Sequence, residues 1–208
     1  MAKSTKPKRA TSYKETAFGI LLRSKVVQLE KKGVAKALKY VAKLSSKKTK
    51  ITPALICDIH KEGFGFIFPN WAGKLRTIDV TVGDFEPPHY SKVPELIQNL
   101  CDNLEERLKN LPNISNDEQF LSEAISLLTW FQHQFAWIHP FKDYNGRVAR
   151  LITNLIALNL GFPIVTIKAE SGEDRENYNN AMKAADRHDL SRLEKLITEA
   201  LKESLEKV

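Results

Sequence analysis

The fold is decided by one stretch, His139-Pro140-Phe141-Lys142-Asp143-Tyr144-Asn145-Gly146-Arg147-Val148-Ala149-Arg150, which leads directly into an apolar run. Asn145, Gly146 and Arg147 sit where a loop turns into a helix. The first N–H groups of a helix have no acceptor within it, and the helix dipole adds positive potential at the same end. The stretch therefore predicts a loop that binds phosphate groups at a helix start.

The side chains of this stretch suit phosphate chemistry. Arg147 and Arg150 lie three residues apart and share a helical face, where two guanidinium groups can bind phosphate oxygens. The alternative is a pair of surface arginines in an ion-pair network. Asp143 is a hard oxygen ligand suited to Mg²⁺ beside a polyphosphate. His139 is a candidate general base.

Around the stretch, apolar residues recur mostly at helical spacing. The periodicity predicts helices over 12–22, 26–44 (one long helix or two short ones), 52–60, 93–108, 117–137, 151–160, 175–185 and 190–206. Alternating residues over 64–68 and 77–82 predict a short extended element or hairpin, and residues 164–167 a brief extended piece. The fold class is therefore all-α with one small β excursion.

Length and composition limit the class of protein. A chain of 208 residues with 42% hydrophobic and 27% charged residues is expected to fold as one globular unit. Its apolar runs are shorter than a membrane span, so we expect a cytoplasmic protein, with export to another cell left open. Cys57 and Cys101 are interpreted as buried reduced thiols, and His60 and His133 as packing residues of amphipathic helices. Homo-oligomerisation is left open.

The positive charge is concentrated at the N-terminus. Residues 1–50 carry fifteen Lys or Arg and two acids, whereas the remainder carries seventeen Lys or Arg and twenty-three acids. Residues 1–10 are predicted to be a disordered basic tail. The lysine-rich helix after it can be a solvated face, a docking surface for an acidic partner or a nucleic-acid patch. Tyr40 is the one aromatic residue among the lysines of this helix, and a single ring does not form a stacking platform for single strands.

The twelve-residue stretch resembles the signature of the Fic family, H-P-F-x-[DE]-G-N-G-R-x-x-R, and departs from it at Tyr144, where the signature has glycine. Residues 72–76 and the alternating run after them resemble the family's β-hairpin flap. Residues 175–189 resemble the helix that forms part of its nucleotide-base pocket. The resemblance implies a Fic-type helical bundle with a small β-hairpin flap over 51–208, preceded by an N-terminal helical segment over 11–50.

The resemblance also implies an enzyme, a protein adenylyltransferase that moves AMP from ATP to a Ser, Thr or Tyr hydroxyl of a target protein. His139 would take the hydroxyl proton, and Asp143 would hold Mg²⁺ or Mn²⁺. The phosphates would be bound by Asn145 and the N–H groups around Gly146 (α), Arg147 (β) and Arg150 (γ). Tyr178 and Asp186 would contribute to nucleotide binding. The target would dock on a flap that includes Gly73, Leu75, Arg76 and Ile78. Removal of AMP as the physiological direction stays open.

Two departures from the family pattern leave parts of this function open. Tyr144 predicts either a different loop conformation or a ring near the phosphates, with slowed transfer, another phosphate-containing substrate or lost activity as outcomes. In the last case the chain would be a nucleotide-binding, partner-binding or nucleic-acid-binding module. Asp186 and His188 stand where the family often has asparagine and glycine, which leaves the base selectivity open.

A regulatory element is also suggested by resemblance. Thr11-Ser12-Tyr13-Lys14-Glu15-Thr16 is similar to the family's inhibitory helix pattern, [ST]-x-x-x-E-[GN], except at Thr16. In the family, that glutamate pairs with the second arginine of the signature and blocks the γ-phosphate. We therefore predict that Glu15 reaches Arg150, the alternative being an ordinary exposed glutamate.

Overall fold

The computed structural model describes residues 13–112 and 117–207. Its helices are α1 (Arg23–Ser45), α2 (Pro53–Phe64), α3 (Val93–Lys109), α4 (Asp117–Ile138), α5 (Asn145–Asn159), α6 (Gly172–Ala185) and α7 (Ser191–Leu205). Strands β1 (Tyr13–Thr16) and β2 (Gly19–Leu22) form one small sheet. None of these helices is both long and apolar enough to cross a membrane. The predicted class, all-α with a small β element, is confirmed, and the predicted basic tail lies outside the described residues.

Most helices begin and end within a few residues of the predicted bounds, but α5 begins at Asn145, six residues before the predicted 151. α2 follows Thr52, whose hydroxyl accepts a hydrogen bond from the Leu55 N–H at 3.2 Å, and begins with Pro53. The segment 26–44 is one helix that continues through Gly33. α5 begins at Asn145, which confirms that the loop turns into a helix at this point.

The predicted helix over 12–22 is wrong, because residues 13–22 form an antiparallel hairpin in which Tyr13 pairs with Leu22 and Thr16 with Gly19. The reason is local turn chemistry. The Thr16 side chain accepts a hydrogen bond from the Phe18 N–H at 3.1 Å and donates to the Gly19 carbonyl at 2.8 Å. Gly19 has φ +86°, which glycine adopts without strain and which closes a two-residue turn.

The predicted hairpin over 64–68 and 77–82 is also wrong, because neither segment forms a ladder. Phe64 is the last residue of α2, and Phe64, Ile67 and Phe68 are all buried in the core. Their apolar character therefore reflects packing and not a pleated strand. Near the second run there is a single isolated bridge between Val82 and Phe85. Residues 164–167 likewise form no strand.

The core is organised around α5, which packs against α1, α2 and α4. Its buried residues include Val148, Ala149, Ile152 and Leu155, none of which is exposed to solvent. α4 also packs against α3 and α7, and α6 packs against α7. The loop between α4 and α5 joins two helices of this core, and its Phe141 and Tyr144 are buried.

The two cysteines are free thiols. Cys101 is buried and Cys57 is half-buried, so the prediction of buried reduced thiols is confirmed for Cys101 and approximately so for Cys57. Burial, with a smaller contribution from Asp102, raises the pKa of the Cys101 thiol to about 12. Such a thiol stays protonated at neutral pH and is unreactive.

Candidate active site

His139 follows directly after α4 with φ +52°, an uncommon conformation for a residue other than glycine. Its N–H donates to the Phe135 carbonyl at 3.1 Å, and its Nδ1 lies 3.2 Å from the Ala136 carbonyl. In the neutral ring Nδ1 therefore carries the proton, and Nε2 is left as an acceptor. Burial lowers the pKa of His139 below its ordinary value. A neutral imidazole with a free Nε2 can act as a general base.

Asn145 closes the loop on itself. Its Oδ1 accepts a hydrogen bond from the Phe141 N–H, and its Nδ2 donates to the Phe141 carbonyl, both at 2.8 Å. The side chain is buried, so its amide is fully engaged within the loop. What Asn145 leaves for an anion is its backbone N–H, together with that of Gly146, because these two groups begin α5 and lack helical acceptors.

Tyr144 adopts the left-handed conformation, φ +66° and ψ 12°, that glycine favours at such a position. Its ring is only 6% exposed and stacks on Phe64 at 4.1 Å, with Phe68 and Trp71 at 5.6 and 5.9 Å. The backbone therefore has a conformation that glycine also adopts. The ring is buried, and its centre lies 5.2 Å from the guanidinium of Arg147, one of the predicted phosphate ligands.

Glu30 on α1 contacts this loop, although it is not among the site residues predicted from the sequence. Its side chain is 1% exposed, and its Oε1 accepts from the Tyr144 hydroxyl at 2.6 Å and from Arg23. Its Oε2 accepts from Arg147 Nη1 at 2.9 Å. Burial alone would raise the pKa of Glu30, but the hydrogen bonds from Tyr144, Arg23 and Arg147 outweigh it and the pKa is lowered. The carboxylate is therefore ionised at neutral pH.

One signal in the sequence could have identified Glu30. It is the single acid of an otherwise basic helix, and it falls on the core-facing side of the helical repeat. The residues that share this buried face are Val26, Glu30, Gly33, Ala37 and Val41. A charge at a core position usually has a charged partner.

Arg150 turns in the other direction, toward α6. Its Nη2 donates to Glu170 Oε1 at 2.7 Å, and its guanidinium lies 5.7 Å from the centre of the Tyr178 ring. A Cβ at Gly146 would lie 3.6 Å from Arg150 Nη1, an ordinary van der Waals distance, so the guanidinium lies directly beside Gly146. The two arginines therefore share a helix end but contact different neighbours.

The predicted contact between Glu15 and Arg150 is wrong. Glu15 lies on β1 with an exposed side chain, and the carboxylate on Arg150 belongs to Glu170. The physical reason is the hairpin, since residues 13–16 form a strand and not the helix that the pattern requires. Thr11 and Ser12 of the pattern lie outside the described residues.

Both carboxylate oxygens of Asp143 accept a hydrogen bond. Its Oδ1 accepts from the Tyr144 N–H at 2.7 Å, and its Oδ2 accepts from Lys14 Nζ on β1 at 2.6 Å. The carboxylate is 47% exposed and borders a groove of about 550 Å³ between the hairpin and residues 67–71. The described residues contain no cluster of three or more His, Cys, Asp or Glu side chains able to hold a metal ion. A metal here would depend on other oxygen ligands.

His60 links the loop to the segment 73–76. Its Nε2 lies 3.2 Å from the Asp143 carbonyl, and its Nδ1 accepts from the Gly73 N–H at 2.8 Å. The ring also stacks on Phe141 at 3.9 Å. Burial lowers its pKa to about 4, so it remains neutral. The packing role predicted for His60 is confirmed, but its hydrogen bonds between two parts of the site were not anticipated.

Of the predicted flap residues, Arg76 lies beside His139, but it is an anchor and is not accessible for docking. Its N–H donates to the Pro140 carbonyl and its Nε to the His139 carbonyl, both at 2.8 Å. The Arg76 side chain is fully buried and Leu75 is half-buried. Beyond this anchor, Ile78 is 53% exposed and can be contacted from outside.

The predicted nucleotide-binding residues of the C-terminal part are separated. Tyr178 is buried beside Arg150, and its hydroxyl accepts from Gln132 Nε2 at 2.6 Å. Asp186 follows the end of α6, where its Oδ1 lies 3.0 Å from Nε2 of the buried His133 on α4. The structure thus brings Tyr178 to Arg150 on α5, while Asp186 contacts His133 on α4.

The chain is similar to known proteins over this region. The model of the Fic/DOC family matches residues 50–157. Protein adenylyltransferase Fic from Nematostella vectensis is 33% identical over 167 residues, which cover 80% of this chain and 37% of that protein. Protein adenylyltransferase fic-1 from Caenorhabditis elegans is 32% identical over 161 residues, covering 76% of this chain and 29% of that protein. The chain thus spans about a third of the length of these relatives.

Solved structures share the fold. Residues 134–508 of Fic-1 from C. elegans superpose with a TM-score of 0.68 at 27% identity, over 84% of this chain and 48% of that one. The BepC effector of Bartonella tribocorum, solved with AMPPNP, has a TM-score of 0.65 at 16% identity, over 92% of this chain and 93% of that one. Because the family model covers more than half of the residues, including the loop described above, this chain belongs to the Fic/DOC family.

Proposed function

We propose that this chain is a protein adenylyltransferase, which transfers the AMP moiety of ATP to a hydroxyl side chain of a target protein. The observation that carries the proposal is the neutral His139, whose free Nε2 lies at a loop that opens into a helix start with Arg147 and Arg150 in its first turns. Its relatives from N. vectensis and C. elegans carry this name.

In the proposed reaction, the target hydroxyl oxygen attacks the α-phosphorus of ATP, and the bond from that phosphorus to the pyrophosphate oxygen breaks. The hydroxyl proton passes to Nε2 of His139, since Nδ1 already carries a proton shared with the Ala136 carbonyl. The products are the AMP ester of the target and pyrophosphate. Transfer of this type depends mainly on positioning and charge neutralisation, which the loop and its arginines can supply.

The three phosphates are assigned to three groups of donors. The free N–H groups of Asn145 and Gly146 at the start of α5 face the α-phosphate, where charge grows in the transition state. Arg147 binds the β-phosphate while keeping its contact with Glu30, and Arg150 binds the γ-phosphate in exchange for Glu170. Tyr178 and Asp186 are proposed to border the nucleotide, Tyr178 directly beside Arg150.

A divalent ion, Mg²⁺ or Mn²⁺, is proposed at Asp143. The donor chemistry fits, because Mg²⁺ is commonly held by one or two carboxylates together with substrate phosphates and water. When bound, the ion would neutralise phosphate charge. Asp143 Oδ1 is oriented by the Tyr144 N–H, and Oδ2 becomes available once Lys14 moves away.

The target is proposed to dock along the segment after Arg76. This segment is fixed at the His139 and Pro140 carbonyls and then exposes Ile78 and Val82 to solvent. A docked chain would therefore lie next to Nε2 of His139. Removal of AMP from the same hydroxyl would use the same groups.

A second partner surface is proposed on α1. Lys25, Lys32, Lys36, Lys39 and Lys43 are exposed, and their spacing keeps them on one side of the helix. The one acid of α1, Glu30, is turned into the core, so α1 adds no carboxylate to this face, although Glu62 of α2 lies 3.3 Å from Lys36 Nζ. Such a surface favours an anionic partner. A salt-sensitive shift of nucleic acid, lost in a Lys32→Glu/Lys39→Glu variant, would identify nucleic acid, and no shift would favour an acidic protein.

The transferase proposal is tested by incubating the purified protein with ATP labelled at the α-phosphate and Mg²⁺ or Mn²⁺, alone and with cell lysate. We expect protein-bound label with the wild type and none with His139→Ala. Two further variants are assayed in the same way. Tyr144→Gly restores the glycine of the signature, and Lys14→Ala removes the ammonium group that pairs with Asp143. Absence of label from the wild type and both of these variants would overturn the proposal.

A further inference from the structure

Glu30 is the one acid that is buried among the residues whose burial the structure describes. It lies on α1, separated by more than a hundred residues from the loop that it contacts. Burying a carboxylate is unfavourable unless charged or polar donors compensate it. Here Arg23, Tyr144 and Arg147 all donate to it. These donors fix the position of the carboxylate, and the carboxylate in turn fixes theirs.

The two oxygens of Glu30 have separate tasks. Oε1 accepts from Arg23 and from the Tyr144 hydroxyl, so its own place is set by a helix-borne cation and by the loop. Oε2 accepts from Arg147 Nη1 at 2.9 Å, and the Arg147 guanidinium also lies 5.2 Å from the centre of the Tyr144 ring. A guanidinium has five N–H donors, so those not used by Glu30 remain for a ligand.

Tyr144 completes this arrangement because its hydroxyl cannot move freely. The ring is stacked between aromatic residues of α2 and the turn after it, Phe64 and Phe68. A non-glycine residue in the left-handed region is strained, by about 1 kcal/mol or more. The stacking and the short hydrogen bond of 2.6 Å to Glu30 hold it there.

We infer that Glu30 and Tyr144 are positioning residues, which act through Arg147 to hold its guanidinium in place for the β-phosphate. The inference rests on the proposed function and concerns one of its phosphate contacts. Neither residue touches the nucleotide. Tyr144, at the position where the family signature has glycine, thereby supports the phosphate site through Glu30 and does not obstruct it.

The test compares AMP with ADP, which differ by the β-phosphate that Arg147 is inferred to bind. Binding of AMP and ADP is measured by calorimetry in a His139→Ala parent, which excludes turnover. Glu30→Gln keeps the shape of the side chain but places an amide N–H group against one of its cationic partners. Tyr144→Phe keeps the ring and removes only the hydroxyl. Matched controls away from the site are Glu105→Gln, a half-buried glutamate on α3, and Tyr40→Phe on α1.

We expect Glu30→Gln to weaken ADP binding about tenfold and Tyr144→Phe about threefold, with AMP binding unchanged, because only ADP has the phosphate that Arg147 contacts. The controls should leave both nucleotides unaffected. Equal weakening of AMP and ADP would indicate a general structural effect and overturn the inference, as would unchanged ADP binding in both variants. A parent that binds neither nucleotide would overturn the proposed function itself, and the inference with it.

Discussion

Two arginines one turn apart on α5 end in opposite surroundings. Arg147 pairs with Glu30, which is 1% exposed and held by two further donors. Arg150 pairs with Glu170, whose side chain is 67% exposed and stands on the segment before α6. Arg147 thus has a buried partner that stays in place, whereas Arg150 has an exposed partner that solvent can replace.

The difference separates two properties that a phosphate site needs. A buried pair is costly to break, because removing one member leaves an uncompensated charge. An exposed pair contributes little and exchanges readily with ions and ligands. We therefore expect Arg147 to be fixed before the nucleotide arrives and Arg150 to exchange its partner on binding.

The largest effect is expected from Glu30→Ala. This change removes the hydrogen bonds that Arg23 and Arg147 donate to a charged acceptor, and it should lower the free energy of unfolding by about 1.5 to 3 kcal/mol. Glu170→Ala should cost less than about 1 kcal/mol. Both are measured by urea denaturation, and similar costs for the two variants would contradict the contrast between the buried and exposed pairs.

Acidification should also remove the contribution of Glu30 to the free energy of unfolding. Its folded-state pKa lies below the ordinary value of 4.5, so its stabilisation is fully present above that value and is lost as the pH falls through the lowered folded pKa. The difference in unfolding free energy between the wild type and Glu30→Gln should therefore be larger at about pH 7 than at about pH 3. A difference that stays constant over this range would show that the Glu30 charge contributes nothing.

An ion pair of intermediate exposure joins Lys14 and Asp143. Lys14→Ala should lower the Mn²⁺ concentration needed for half-saturation in the presence of ATP by about threefold, since the metal no longer competes with an ammonium group. Mn²⁺ binding can be followed by its paramagnetic signal. Lys142→Ala is the matched control, because Lys142 directly precedes Asp143 in the sequence but its ammonium group lies over the Trp71 ring. An equal effect of both variants would indicate a general change of charge.

The smallest effect is expected from Glu170→Gln. If Arg150 exchanges Glu170 for the γ-phosphate, removing the competing charge should tighten ATP binding about twofold and leave ADP binding unchanged. Glu203→Gln, which breaks another exposed pair, with Lys168, serves as the control. Weaker ATP binding in Glu170→Gln would mean that Glu170 assists the ligand and does not compete with it.

Helices and the loop could be predicted from sequence because their signals are local. The apolar period located each of α2 to α7, and the turn into α5 was located at Asn145. The hairpin over 13–22 was missed because the Thr16 side chain and Gly19, not an apolar period, decide it. The alternation of Phe64, Gly65, Phe66, Ile67 and Phe68 was misread because packing on both sides of a turn produces the same pattern as a strand.

The charged contacts of the site could not be predicted in the same way. Glu30 meets Tyr144 and Arg147 across more than a hundred residues, and only the packing of α1 on α5 brings them together. The pattern around Glu15 predicts the wrong acid as the partner of Arg150, because a motif specifies residue types but not the secondary-structure element on which they lie. His60 was correctly predicted to pack, but its two hydrogen bonds depend on where Gly73 and Asp143 arrive.

The close contact between α1 and α2 has a consequence for tolerance to substitution. A Cβ at Gly33 would collide with the Gly63 carbonyl oxygen, so the two helices touch backbone to backbone. Glu30 lies one turn before Gly33 on the same face. A methyl group at position 33 would move α1 outward and withdraw the carboxylate from Arg147, and a displacement of about 1 Å can cost about 100-fold in rate. A residue without a side chain, outside the loop and far from it in sequence, thus determines the accuracy with which a phosphate is held.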